Sequence, residues 1–159
     1  MDAQTGQSLV RLIRTQRVAA LGALSDTGPL VSMVQYVASA DLSAFYIHVS
    51  RLALHTQCLL RDRRASLLIA EPDLGERDPQ TLGRVSIRGE AVETQPTAGH
   101  YEKVKSAYLE KFPKSTVNFG LGDFILYGIR PHHARYVAGF GQIFDLTADD
   151  FRRIASISA

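Results

Sequence analysis

One cysteine, Cys58, is all that the 159 residues contain. It rules out an intramolecular disulfide and any multi-cysteine zinc or iron–sulfur cage, and it fits a reducing cytoplasm. Charge of one sign is equally scarce: 18 Lys and Arg stand against 16 Asp and Glu, a formal net charge of +2. Such a balance builds no long-range field and argues against nucleic acid as the main partner. Long apolar runs are missing too, since none reaches the roughly 20 residues that cross a bilayer. The first 16 residues begin polar and carry Arg11 and Arg14 among their apolar positions, so they lack the unbroken centre of a secretory signal. The expectation is a soluble, cytoplasmic protein with no membrane partner.

Several enzyme signatures are also absent. Gly120-Leu121-Gly122 and Gly139-Phe140-Gly141 each contain a G-x-G, but neither gains a third glycine or opens a helix after an N-terminal strand. That argues against a dinucleotide fold. There is no phosphate-cradling P-loop, no zinc-protease helix and no nucleophile elbow. The five histidines, His48, His55, His100, His132 and His133, include no pair spaced for one helix face. His132 and His133 are adjacent and diverge if the chain is extended there, so no metal site is expected.

What is present is enough apolar sequence, 45% of the chain, for one globular domain over residues 1–159. Leu9, Val10, Leu12 and Ile13 follow helical spacing and predict a short N-terminal helix from Ser8. Residues 17–24 and 30–37 read as a hairpin around the turn Ser25-Asp26-Thr27-Gly28-Pro29. Residues 45–50 are strand-like, 51–60 change to a helical period, and 65–70 return to a strand that Pro72 stops. Residues 73–83 read as a loop and 85–93 as a strand. Pro96 opens a helix running to Phe112. Two last strands, 123–129 and 135–138, precede a C-terminal helix over 148–157 capped by Thr147. Strands that follow one another through short turns favour an antiparallel sheet or barrel, in the mainly β (α+β) class, over repeated βαβ units.

The segment from Tyr46 to Gln57 is the most informative. Its strand ends in the Ser50 hydroxyl and the Arg51 guanidinium just where the predicted helix presents free N–H groups. Hydroxyl, fixed positive charge and helix N-terminus together suit a phosphate. The alternative is that Ser50 merely caps the helix and Arg51 is solvated.

V-S-M-V at 31–34, F-Y-I-H-V-S-R-L-A-L-H-T at 45–56, A-S-L-L-I at 65–69, R-V-S-I-R-G at 84–89 and V-A-G-F-G at 137–141 resemble the pyridoxamine-phosphate-oxidase-like flavoproteins. Within them the match is to the branch that includes the haem-utilisation proteins. The resemblance runs from about Leu9 to Phe144. It implies a six-stranded antiparallel split β-barrel with flanking helices, whose homodimer interface holds FMN. Carried over, Ser50 and Arg51 match the flavin-phosphate residues, with Thr56 and Gln57 as further phosphate or ribityl contacts. Ser32, Met33 and Val34 match the strand along the flavin ring, though an ordinary core strand explains Met33 and Val34 equally well. Arg84 would reach the flavin from the second subunit, or serve only as a loop salt-bridge residue.

Arg84 stands where the true pyridoxamine-phosphate oxidases have glutamine, Leu52 where they have a basic residue, and their C-terminal arginine–histidine segment is not found. Vitamin oxidation is therefore not expected. The leading expectation is an FMN-dependent oxidoreductase exchanging electrons with a small-molecule donor or acceptor, with no side chain standing out as a catalytic base. The alternatives are a haem-binding or haem-degrading protein, and a flavin carrier or sensor without turnover. No histidine follows His133, so haem has no imidazole from the C-terminal tail. A small barrel leaves little room inside for a flavin ring, and Tyr36, Phe45, Tyr127 and Tyr136 look too many for one barrel to bury, which together predict the homodimer.

Overall fold

Phe45, Ile47 and Val49 are buried while Tyr46, His48 and Ser50 between them are half-buried, the two-residue period that commits this segment to a strand with one face on a core. The same alternation builds most of the sheet. The computed structural model describes residues 1–157. Its elements are α1 (Ala3–Thr15), β1 (Val18–Ser25), β2 (Gly28–Gln35), β3 (Val37–Ala38), β4 (Phe45–Ser50), α2 (Leu54–Arg61), β5 (Arg64–Ala70), β6 (Arg84–Glu93), α3 (Tyr101–Lys111), α4 (Thr116–Phe119), β7 (Phe124–Gly139), β8 (Gln142–Thr147) and α5 (Ala148–Ile157).

The strands pair antiparallel in the order β2–β1–β5–β6–β7–β4–β3, with β8 on β7. Only Tyr36 separates β2 from β3, so the two ends of that order are one interrupted strand and the sheet closes on itself. Six strand positions make the barrel, as expected, and β8 is an addition outside the circuit. β7 is long enough to serve two neighbours on one edge: residues 124–129 pair with β4 and residues 133–139 with β8. That division is the split in the barrel.

Inside lie Leu21, Phe45, Ile47, Leu67, Ile69, Val85, Ile87 and Ile129, all essentially unexposed. Each such side chain contributes about 1.5–3 kcal/mol on burial. Tyr36 turns inward at the strand break, and its hydroxyl donates to the Ile13 carbonyl at 2.6 Å. That carbonyl belongs to the last turn of α1, where no intrahelical donor remains. α1 buries Leu9, Val10, Leu12 and Ile13 against the barrel, and α5 lies alongside it, with Phe151 set edge-on to Phe45 at 5.9 Å.

Several expectations change. α1 begins at Ala3, five residues before Ser8, because Asp2 caps it by accepting from Thr5 N–H. α3 starts at Tyr101 rather than Pro96, and Pro96 sits in a turn. Residues 123–129 and 135–138 are not two strands but parts of one, β7, and β8 was not foreseen. α2 starts at Leu54, three residues past Arg51, so Ser50 and Arg51 do not stand at its N-terminus. Tyr36, Phe45, Tyr127 and Tyr136 are all buried within the single chain, so they present no face to a second copy.

Candidate functional site

Three of the four residues singled out for a phosphate, Ser50, Arg51 and Gln57, are already engaged with acidic groups or backbone. Ser50 Oγ donates to Asp123 Oδ2 at 2.6 Å and accepts from Leu52 N–H. Arg51 pairs with Glu93 at 3.4 Å. Gln57 Nε2 donates to the Arg51 carbonyl, and Thr56 is buried with its hydroxyl unpartnered. Two carboxylates, Asp123 and Glu93, thus face the positions expected to attract a dianion. On β2, Ser32 and Val34 turn toward the barrel while Met33 is exposed. Met33, Val34 and Ser50 line a hollow of about 210 Å³ with His48 and His55. Arg84 is tied to the turn before β6, donating to the Gln80 and Leu82 carbonyls.

His48 stacks on Phe119 at 3.7 Å. Burial, with the Lys105 ammonium adding repulsion, pushes its pKa down to about 4. Burial likewise lowers that of His55. These imidazoles are neutral at physiological pH, which removes two charges that an anion would use.

A larger groove, about 700 Å³, lies on the outside of the barrel. Its axis follows one row of directly paired residues across five strands: Val31 on β2, Gly22 on β1, Ser66 on β5, Arg88 on β6 and His133 on β7. Directly opposed residues of antiparallel strands share a face, and at about 4.8 Å per strand the row is about 19 Å long. Gly22 and Ser66 keep its floor low, since a Cβ on Gly22 would lie 2.3 Å from Ser66 Oγ. Leu24 and Val31 form an apolar wall, and Arg64 and Arg88, with His132 and His133, the opposite, polar one.

Both histidines reach the groove because β7 bulges there. The pairing jumps from Arg88↔His133 to Gly89↔Pro131, which leaves His132 as the extra residue. Residues that diverge on a regular strand are thereby brought to one wall, contrary to the extended-chain expectation. Pro131, lacking an N–H, and Gly89, whose Cβ would lie 1.9 Å from the Arg130 carbonyl oxygen, are the two residues that hold the bulge. Arg64 is clasped by Asp62. Among the described residues the side chains of Arg88, His132 and His133 have no hydrogen-bond or ion-pair partner. The neighbouring outward row, Met33, Ala20, Leu68, Ser86, Arg135, adds two exposed apolar side chains, Met33 at 76% and Leu68 at 41%. No helix among the described residues is long and apolar enough to cross a membrane.

No protein-family model matches the chain. Over 119 residues, 73% of the chain, it is 40% identical to the chloroplastic non-canonical heme oxygenase HOZ of Arabidopsis thaliana, and it spans about a third of that protein, 34%. A heme binding protein from Mycobacterium smegmatis is 26% identical and superposes with a TM-score of 0.81 over 95% of this chain and 60% of the other. HutZ, the heme storage protein from Vibrio cholerae, shares the fold at 16% identity, with a TM-score of 0.70 over 90% of this chain and 96% of that one. The names of the first two speak of haem and not of flavin, which overturns the expected FMN. The carboxylates of Asp123 and Glu93 at the supposed phosphate position supply a physical reason.

Proposed function

We propose that this chain, which has the split-barrel fold of the pyridoxamine-phosphate-oxidase-like proteins, is a haem-binding protein that seats an iron porphyrin in the outer groove. The observation that carries the reading is the groove's two-sided chemistry. A flat macrocycle with an apolar face and two carboxylates on one edge needs an apolar wall, a low floor and nearby cations. Leu24 and Val31 supply the first, Gly22 and Ser66 the second, and Arg88 with Arg64 the third. Such a division, mostly apolar lining with a few placed polar groups, is what small-molecule sites have in general. The haem named in the Arabidopsis and Mycobacterium smegmatis relatives supports the same ligand. When bound, haem would bring iron-centred chemistry, for which the chain's own part is to hold the ring, orient its carboxylates and limit water at its apolar face.

Titration of the purified protein with haem, followed by its Soret band, tests the reading. A saturable, stoichiometric complex is expected, and Val31→Asp, which puts a like charge and a polar group on the apolar wall, weakens it at least tenfold. Haem added without a protein-induced spectral shift would refute it.

The same face suits a second copy of the chain. We propose a homodimer that covers Met33, Leu68 and the open side of the groove, because these exposed apolar groups lie contiguous with it and symmetric pairing is the common way to bury such a strip. Light scattering with and without haem checks this: Met33→Asp should yield a monomer, and a wild-type monomer in both conditions would remove the dimer.

A further inference from the structure

We propose that the β7 bulge supplies the axial ligand to the porphyrin iron, one imidazole of the His132–His133 pair, and that Arg88 on the facing strand holds a porphyrin carboxylate. The inference rests on the haem reading and goes beyond it by assigning the ligand to the barrel wall rather than to a tail.

Four observations converge. The bulge is held by two residues with no latitude: Pro131 cannot join the ladder as a donor, and Gly89 tolerates no Cβ. A device of this kind re-aims side chains, and here it turns two consecutive imidazoles to one wall of the groove. Neither imidazole has a side-chain partner among the described residues, whereas His48 is packed between Phe119 and Tyr108 and His55 is half-buried with its Nε2 enclosed. Among the described residues no cluster of three or more His, Cys, Asp or Glu could hold a bare metal ion. An iron porphyrin brings four nitrogen ligands of its own and takes a single protein imidazole, which matches what this wall offers. The fourth observation is spacing. Arg88 is directly paired with His133, so the two residues stand on adjacent strands about 4.8 Å apart and share the outer face. Unlike Arg64, Arg88 has no carboxylate of its own to hold it, and a planar fork suits a carboxylate.

Two adjacent imidazoles cannot both take one axial position from the same side. The bulge therefore offers a choice, and single variants read which residue is used. Haem titrations of wild type, His132→Ala, His133→Ala, the double variant, Arg88→Ala and His100→Ala, which lies outside the groove, test the assignment, with circular dichroism confirming the fold of each. The double variant should lose the wild-type Soret position and bind haem at least tenfold more weakly, and free imidazole in millimolar excess should restore the ligated spectrum. Arg88→Ala should weaken affinity about tenfold while leaving the Soret position unchanged, because it touches a carboxylate and not the iron. His100→Ala should behave as wild type. A double variant with the wild-type spectrum and affinity would overturn the ligand assignment while leaving haem binding standing. A wild-type protein that gives no haem complex would overturn both.

Discussion

Replacing Gly89 by alanine should be the most damaging single-methyl change in the barrel. The added Cβ would lie 1.9 Å from the Arg130 carbonyl oxygen, 2.8 Å from its carbon and 3.1 Å from Pro131 Cα. All three neighbours are backbone, so relief requires β6 and β7 to separate by more than an ångström. Overpacking of that kind costs about 1–3 kcal/mol, and each ladder hydrogen bond lost with it adds about 0.5–1.5 kcal/mol. With one such bond lost the sum is about 1.5–4.5 kcal/mol, or about 3–18 °C in Tm for a domain of this size. Thermal and urea unfolding followed by circular dichroism measure it. Two glycines provide the scale. At Gly128 a Cβ would meet the Tyr46 ring at 3.0 Å, a side chain that can yield, so Gly128→Ala should cost about 1 kcal/mol. At Gly122 it would meet nothing within 4 Å, and no change is expected. A Gly89→Ala protein as stable as Gly122→Ala would refute the account of the bulge. It would also remove the reason for His132 and His133 sharing a wall.

Tyr36→Phe should destabilise the fold by about 1–2 kcal/mol, since it leaves the Ile13 carbonyl without its donor in a buried place; chemical denaturation reads this directly. Phe151→Ala, at a fully buried position against Phe45, should cost about 3–5 kcal/mol, and a loss under 1 kcal/mol would mean that α5 does not dock as described. His48 has a folded pKa near 4 against an ordinary 6.5. Between those values the unfolded chain takes up a proton that the folded chain refuses, so stability falls as pH drops from 6.5 toward 4. His48→Phe should flatten that part of the urea-midpoint profile, and an unchanged slope would count against the burial argument.

The strands were legible wherever burial alternates along one segment, as at Phe45, Ile47 and Val49. Closure of the barrel was legible only through the resemblance, because it depends on a break at Tyr36 that no periodicity marks. β8 escaped notice since only Leu146 in it is buried, leaving little apolar signal. The expected break in β7 falls on residues 130–134, where Pro131 interrupts the strand pattern and is tolerated because it sits at a bulge. The groove was illegible for a different reason. Val31, Gly22, Ser66, Arg88 and His133 are scattered through more than a hundred residues and meet only through register. Gly89 in the interior of a strand pattern was the one local hint that His132 and His133 need not diverge.

The pairing of α1 with α5 bears on how the molecule comes into being. Gly6 approaches Ile154 closely, with a Cβ there reaching to 3.3 Å from its side chain, across a sequence separation of nearly the whole chain. Contacts between such distant residues cost the most loop-closure entropy and form late. α1 must therefore wait, its Leu9 and Ile13 face docked on the barrel alone, until α5 arrives beside it. Until then α1 is half-covered, and the ten residues of α5 are what end its exposure.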